Sequence, residues 1–189
     1  MIAGVDEAGR GAWIGNVVAA AVILPNDYDL PDLTDSKKLS AAKRERLCAA
    51  IYEQAIAVAC AWCSPEEIDQ LNIHYATLCA MKKAVITLKV APTEVLIDGK
   101  FAPELPFPTR TIIGGDALEP AISAASIVAK VTRDKQMIAL DALYPDYGFA
   151  AHKGYGTQKH QQALRQFGVL PLHRRSYAPI AALLKNNKK

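Results

Sequence analysis

The sequence predicts an α/β fold built on a mixed sheet, and three observations carry that expectation. Two apolar runs of strand length, residues 1–6 and 16–24, follow one another across a glycine-rich turn, which suggests an antiparallel pair. Further strand-like runs then alternate with helical segments, the pattern of strands sharing one sheet under covering helices. Finally, 189 residues, of which 51% are hydrophobic, can bury a sizeable core and are unlike a disordered chain. One domain over residues 1–189 is expected, with a helical C-terminal portion from about residue 145.

The elements follow in order. After the two opening strands, Pro25 to Pro31 is a turn-rich loop. A helix follows, with Ser40 as its N-cap and an apolar stripe of Leu47, Ala50, Ile51 and Ala55. Residues 56–62 read as a strand. Ser64-Pro65-Glu66-Glu67 then opens a helix, with proline in the first turn and Glu67 placed for a capping box. Residues 73–90 carry Ile73, Ala76, Thr77, Ala80, Ala84 and Leu88 at helical spacing. Strands are expected at 94–97 and 110–113. A long helix runs from near Pro120 to about Leu143, with Ile122, Ala125, Val128 and Ile138 on its apolar face. Lys130, Arg133, Asp134 and Asp141 are its polar positions. Beyond it come a loop, a helix capped by Thr157, a basic patch His173-Arg174-Arg175 and a short final helix.

Composition limits the function classes. No apolar run reaches the eighteen or so residues that span a bilayer, and the N-terminus lacks the charged start and apolar stretch of a secretory leader, so a cytoplasmic protein is expected. A net charge of +3 neither establishes nor opposes a nucleic-acid partner. The four cysteines include Cys60 and Cys63 in CAWC, but there is no second such pair, and the segment reads as a strand. Buried reduced thiols are the expectation rather than a zinc or redox centre.

Three strand ends share one feature: an aspartate after an apolar run and beside glycine. They are Asp6 in VDEAG, Asp98 in LIDG and Asp116 in IIGGD. In open α/β sheets, ligand sites form beyond the carboxyl ends of the strands. If these strands are neighbours, the three aspartates and Glu7 converge, and four carboxylates in one space need raised pKa values or bound cations. Hard oxygen ligands favour Mg²⁺ or Mn²⁺. Aspartate-glycine after a strand is as often only a turn, so spacing leaves both readings open. Neighbouring strand residues also point to opposite faces, so Asp6 and Glu7 are expected to share a cluster only where the chain leaves strand geometry.

Taken together, DEAGRG (6–11), DSKKLS (35–40), IDQLNI (68–73), IDGK (97–100), SAASIVAKVTRD (123–134), HKGYGT (152–157) and HRRSYAPI (173–180) resemble, in order, the motifs of bacterial ribonuclease HII, the type 2 ribonuclease H. The resemblance covers nearly the whole chain. It implies an RNase H-like fold, with a central five-stranded mixed sheet flanked by helices. It further implies endonucleolytic cleavage of the RNA strand of RNA–DNA hybrids, and cleavage 5′ of single ribonucleotides in duplex DNA, by a two-metal route that leaves 3′-hydroxyl and 5′-phosphate ends.

By motif position, the resemblance assigns Asp6, Glu7, Asp98 and Asp116 as catalytic metal ligands for Mn²⁺ or Mg²⁺. Gly9, Arg10 and Gly11 would let backbone groups approach the ribose, whose 2′-hydroxyl distinguishes RNA from DNA. Tyr155 would stack at the junction sugar. Ser36, Lys37, Lys38 and Lys130 are candidate phosphate contacts, set against the alternative of solvated surface charges. His152, His160 and His173 are read as surface or phosphate-contacting groups rather than acid–base catalysts.

A monomer with no protein partner is expected. Two departures from the family pattern stand out. Ala12-Trp13-Ile14-Gly15-Asn16 replaces a segment that usually holds two prolines, and Gly114 stands where lysine is common. Competing classes are a nucleic-acid-binding module without catalysis and a junction resolvase of the same general fold.

Overall fold

The computed structural model describes residues 1–33 and 39–186. Five strands, β1 (Ile2–Ala8), β2 (Val17–Ile23), β3 (Ala57–Cys63), β4 (Glu94–Asp98) and β5 (Thr109–Ile112), form one sheet in the order β3-β2-β1-β4-β5. The first two pair antiparallel, as their glycine-rich connection predicts, and β3 extends that meander on the outer edge. Pairing of β1 with β4 and of β4 with β5 is parallel, so the sheet is mixed. Every residue of β2 is buried, which explains its unbroken apolar run: both faces are covered.

One face packs on α2 (Pro65–Ile86), where Val5, Val17, Ala19 and Ala21 meet Ala76, Ala80 and Ala84. The other face packs on α1 (Ala41–Gln54) and α4 (Pro120–Leu143), where Ala20 and Val22 meet Leu47, Ile51, Ala124 and Val128. Small residues on both sides let helices lie close to the sheet. A four-residue helix α3 (Gly115–Leu118) precedes α4. Beyond a 3₁₀ turn, the short α5 (Phe149–His152), α6 (Gln158–Phe167) and α7 (Ala178–Asn186) gather around Phe149, Leu164 and Ile180.

The predicted caps are present. Ser40 Oγ accepts from Lys43 N–H at 3.3 Å, and Thr157 Oγ1 accepts from His160 N–H at 3.3 Å. Ser64 and Glu67 form the reciprocal capping box. Several expectations are corrected. The helix opened by Ser64 and the one expected from residue 73 meet at Asn72 (φ 63°, ψ 165°), whose non-helical backbone divides α2, and the second ends at Ile86 rather than residue 90. There, Thr87 Oγ1 donates to the carbonyls of Lys83 and Ala84, so Leu88 lies past the helix end. Ile138 is exposed, and Met137 takes the core position beside it. Arg133, expected on a polar face, is fully buried, as are His173 and Arg174 of the supposed basic patch. The four cysteines are free: Cys48 and Cys63 are buried, Cys60 and Cys79 half-buried. Among the described residues, no helix is long and apolar enough to cross a membrane.

Candidate active site

β1 is longer than its parallel neighbour. Its pairing with β4 stops at Val5 opposite Ile97, whereas its pairing with β2 continues to Ala8 opposite Val18. Asp6 and Glu7 therefore lie in regular strand beside the point where β4 ends at Asp98. The expectation that the chain must leave strand geometry at these residues is corrected. The open flank past β4 lets both neighbours serve one space, Asp6 from the α4 side and Glu7 from the α2 side.

A cavity of about 430 Å³ opens there. Its walls bring together Asp6, Glu7 and Asp98 with Gly9, Arg10, Gly11, Lys130 and Tyr155, residues drawn from four separate sequence motifs. Asp116 is not in this wall. It is buried in α3, one residue past Gly115, whose N–H donates to Asp98 Oδ1 at 2.7 Å. The strand ends earlier than expected because Gly114 turns the chain in the left-handed region (φ 69°), so Asp116 follows a helical turn rather than a strand tip. Ser36, Lys37 and Lys38 lie outside the described residues.

The electrostatics are those of crowded acids. Burial, then Glu7 and Asp98, push Asp6 well above the ordinary carboxylate range, against hydrogen bonds from Ser126 and from the Glu7 N–H (2.7 Å). Burial also raises Glu7, while Arg10, 3.4 Å away, pulls it back. Among the described residues, no three acidic, histidine or cysteine side chains are drawn together closely enough to grip an ion as they stand. The chemistry of the donors nevertheless suits one. Three hard carboxylates facing a shared space, two of them destabilised as anions, are what a divalent cation would relieve.

The wall facing the carboxylates is held by two buried arginines. Arg133 donates to the carbonyls of Ile14 (3.2 Å), Asn16 (3.3 Å) and Lys153 (2.8 Å), and its guanidinium lies 5.6 Å from the Tyr155 ring centre. Arg174 donates to the carbonyls of Arg10 (2.9 Å), Gly15 (3.0 Å) and Asn16 (3.0 Å). Tyr177 Oη also donates to the Arg10 carbonyl. Gly9 (φ 91°) is required twice over, by its backbone conformation and because a Cβ would lie 1.9 Å from Arg133 Nε. Trp13 packs on Gly156, where a Cβ would come within 2.1 Å of its ring, and beside His160 at 5.6 Å. The bulk that replaces the usual segment is thus used inside the protein, under the Tyr155 loop.

His160 and His173 are not surface groups. Both are fully buried, their Nε2 atoms 3.1 Å apart, and burial lowers each to about 4. His152 stacks on His160 at 4.7 Å. Lys130 lines the cavity but donates to Asp134 at 2.6 Å. Ser126, which bonds to Asp6, was not among the sequence candidates. Its signal is the helical spacing Ser123, Ser126, Lys130, Arg133, a polar stripe that begins within the apolar first half of α4.

The fold compares with solved structures. The ribonuclease H2 of Pyrococcus horikoshii matches with a TM-score of 0.85 at 25% identity, covering 100% of this chain and 99% of that one. Fold and cleft together define an RNase H-like nuclease. The family model for ribonuclease HII matches residues 3–180. Ribonuclease HII of Neisseria meningitidis serogroup C (strain 053442) is 55% identical over 185 residues, spanning 97% of this chain and 95% of the relative. That of Coxiella burnetii (strain RSA 493 / Nine Mile phase I) is 54% identical over 183 residues, spanning 97% and 91%. The chain belongs to the ribonuclease HII family, and so is an endonuclease acting on the RNA of RNA–DNA hybrids.

Proposed function

We propose that this enzyme cleaves 5′ of single ribonucleotides in duplex DNA as well as within hybrids, using two divalent cations and leaving 3′-hydroxyl and 5′-phosphate ends. One observation carries the reading: a single cavity joins the carboxylates of β1 and β4 to the Gly9-Arg10-Gly11 turn and to Tyr155. Asp6, Glu7 and Asp98 would hold Mg²⁺ or Mn²⁺, with Asp116 entering through the loop that already binds Asp98. Ribonucleases H depend on divalent metal, and the ions supply Lewis acidity for in-line hydrolysis of the phosphodiester.

The chain's own residues select and position the substrate. Gly11 lies opposite Tyr155, so that a Cβ added there would sit 3.7 Å from the ring edge. A sugar resting across both would meet the exposed backbone of the turn and the neighbouring ring of Tyr155. The backbone can donate to or accept from a 2′-hydroxyl, and a deoxyribose leaves it unpaired. Arg174 and Tyr177 fix the Arg10 carbonyl, so this edge does not yield when the hydroxyl is missing. Lys37 and Lys38, and Lys130 when it shares its ammonium with Asp134, would contact backbone phosphates, which set register without reading sequence.

The test compares three substrates on a gel with metal and salt fixed: a duplex with one ribonucleotide, the same duplex in DNA, and a long hybrid. Cleavage 5′ of the ribonucleotide is expected, with discrimination against DNA of about 10⁴-fold. Tyr155→Ala should lose far more on the single ribonucleotide than on the hybrid, and Tyr155→Phe should lose less. Equal losses on both substrates would remove Tyr155 from ribose reading, and cutting of the DNA duplex would overturn the model.

A further inference from the structure

We infer that His74, Tyr75 and Phe101, with Lys100 beside them, form a second contact for the nucleic acid, taking sugars of the nucleotides 5′ of the cut. This rests on the function proposed above. A shallow depression of about 40 Å³ adjoins the main cavity, and Glu7, Arg10 and Asp98 line both. Tyr155 borders one of the two spaces; His74 and Phe101 border the other.

The rings are not there to fill a core. Tyr75 is 60% exposed and Phe101 61%. They are nonetheless arranged: the His74 ring centre is 4.9 Å from Phe101 at 83° and 5.1 Å from Tyr75 at 67°, edge-to-face contacts that steady three rings as one array. The backbone is bent to present them. Asn72 breaks α2 with a positive φ of 63°, and its Oδ1 accepts from the N–H groups of His74 (2.9 Å) and Tyr75 (3.2 Å). Both ring-bearing residues thereby occupy the first turn of a restarted helix. Asparagine tolerates that conformation better than most residues, but it is uncommon, and such backbones concentrate at functional sites.

Continuity and charge name the occupant. Flat apolar faces with cations beside them, here Arg10 and the exposed Lys100, suit an alternation of sugar and phosphate. Direction follows from the cut. The ribonucleotide, lying 3′ of the scissile bond, occupies the Gly9-Arg10-Gly11 and Tyr155 side. A strand that passes Glu7 and Asp98 then reaches the rings with its 5′ nucleotides.

The experiment measures KM and kcat for the metal-loaded enzyme on single-ribonucleotide duplexes whose 5′ or 3′ flank is trimmed separately. The variants are Tyr75→Ala combined with Phe101→Ala, and Phe101→Trp alone. On the untrimmed duplex the double variant should raise KM about tenfold, the scale of one lost stacking contact, while Phe101→Trp stays near wild type. Trimming the 5′ flank should raise KM for wild type but not for the double variant. An unchanged KM in the double variant, or the same response to trimming as wild type, would overturn the inference. Failure of wild type to cut any ribonucleotide duplex would instead overturn the proposed function. Fluorescence-anisotropy binding of the hybrid in EDTA would still separate the double variant from wild type in that event.

Discussion

The two walls of the cleft bury charge in opposite ways. On the β1–β4 side, carboxylates crowd together with few donors, and burial and mutual repulsion raise Asp6 and Glu7. On the opposite side, Arg133 and Arg174 are fully buried and, among the described residues, form no carboxylate salt bridge, yet each donates to three backbone carbonyls. Burial lowers Arg133 to about 10, which leaves it cationic at neutral pH. The satisfied wall is scaffold, since it ties residues 10–16 to the Lys153 loop. The acidic wall keeps its mutual repulsion despite its hydrogen bonds, and a bound cation would relieve it. Buried charge marks a ligand site when like charges crowd together, and an architectural joint when each charge is spread over backbone carbonyls.

Asp98→Asn would break this contrast most sharply. The amide retains an oxygen to accept from Gly115 N–H, so the loop should stay in place while one anionic donor is lost. Cleavage should fall about 10³-fold or more, the scale of removing a transition-state electrostatic anchor. In EDTA the same change, like Asp6→Asn, should leave the melting temperature unchanged or raise it by a few degrees, because repulsion is relieved. A clear drop in melting temperature would make these carboxylates structural.

The scaffold wall should respond the other way. Arg174→Met strands the carbonyls of Arg10, Gly15 and Asn16 and should cost about 3 kcal/mol in urea unfolding, with or without metal. A cost below about 1 kcal/mol would mean that water replaces the guanidinium.

The smallest effect concerns the histidine pair. Both folded values, about 4, lie below the ordinary 6.5, so the unfolded chain takes up protons first as pH falls. Their contribution is complete above pH 6.5 and is lost progressively toward pH 4. The raised carboxylates act in the opposite sense, favouring the fold as pH falls. The informative quantity is therefore the difference between wild type and a His160→Gln, His173→Gln variant. Between pH 7 and 5 the wild type should lose more melting temperature than the variant; parallel slopes would mean that the pair titrates normally.

Local chemistry was legible from the sequence because it depends on neighbours in the chain. The caps at Ser40, Ser64 and Thr157 and the span Pro120 to Leu143 rest on contacts within a few residues, and the antiparallel opening pair on one short connection between adjacent strands. Motif order likewise pointed to Asp6, Glu7 and Asp98 before any geometry was known. Tertiary structure alone decided what depends on distant partners. Arg133 reads only as a polar helix position and Arg174 as part of a basic patch, because no local pattern shows that carbonyls more than a hundred residues away will take up their donors. His160 and His173 meet through the packing of separate loops. That Asp6 and Glu7 share a cavity from within a regular strand follows from β4 ending one residue past its last pairing with β1, a relation between two strands that neither strand's residues encode by themselves.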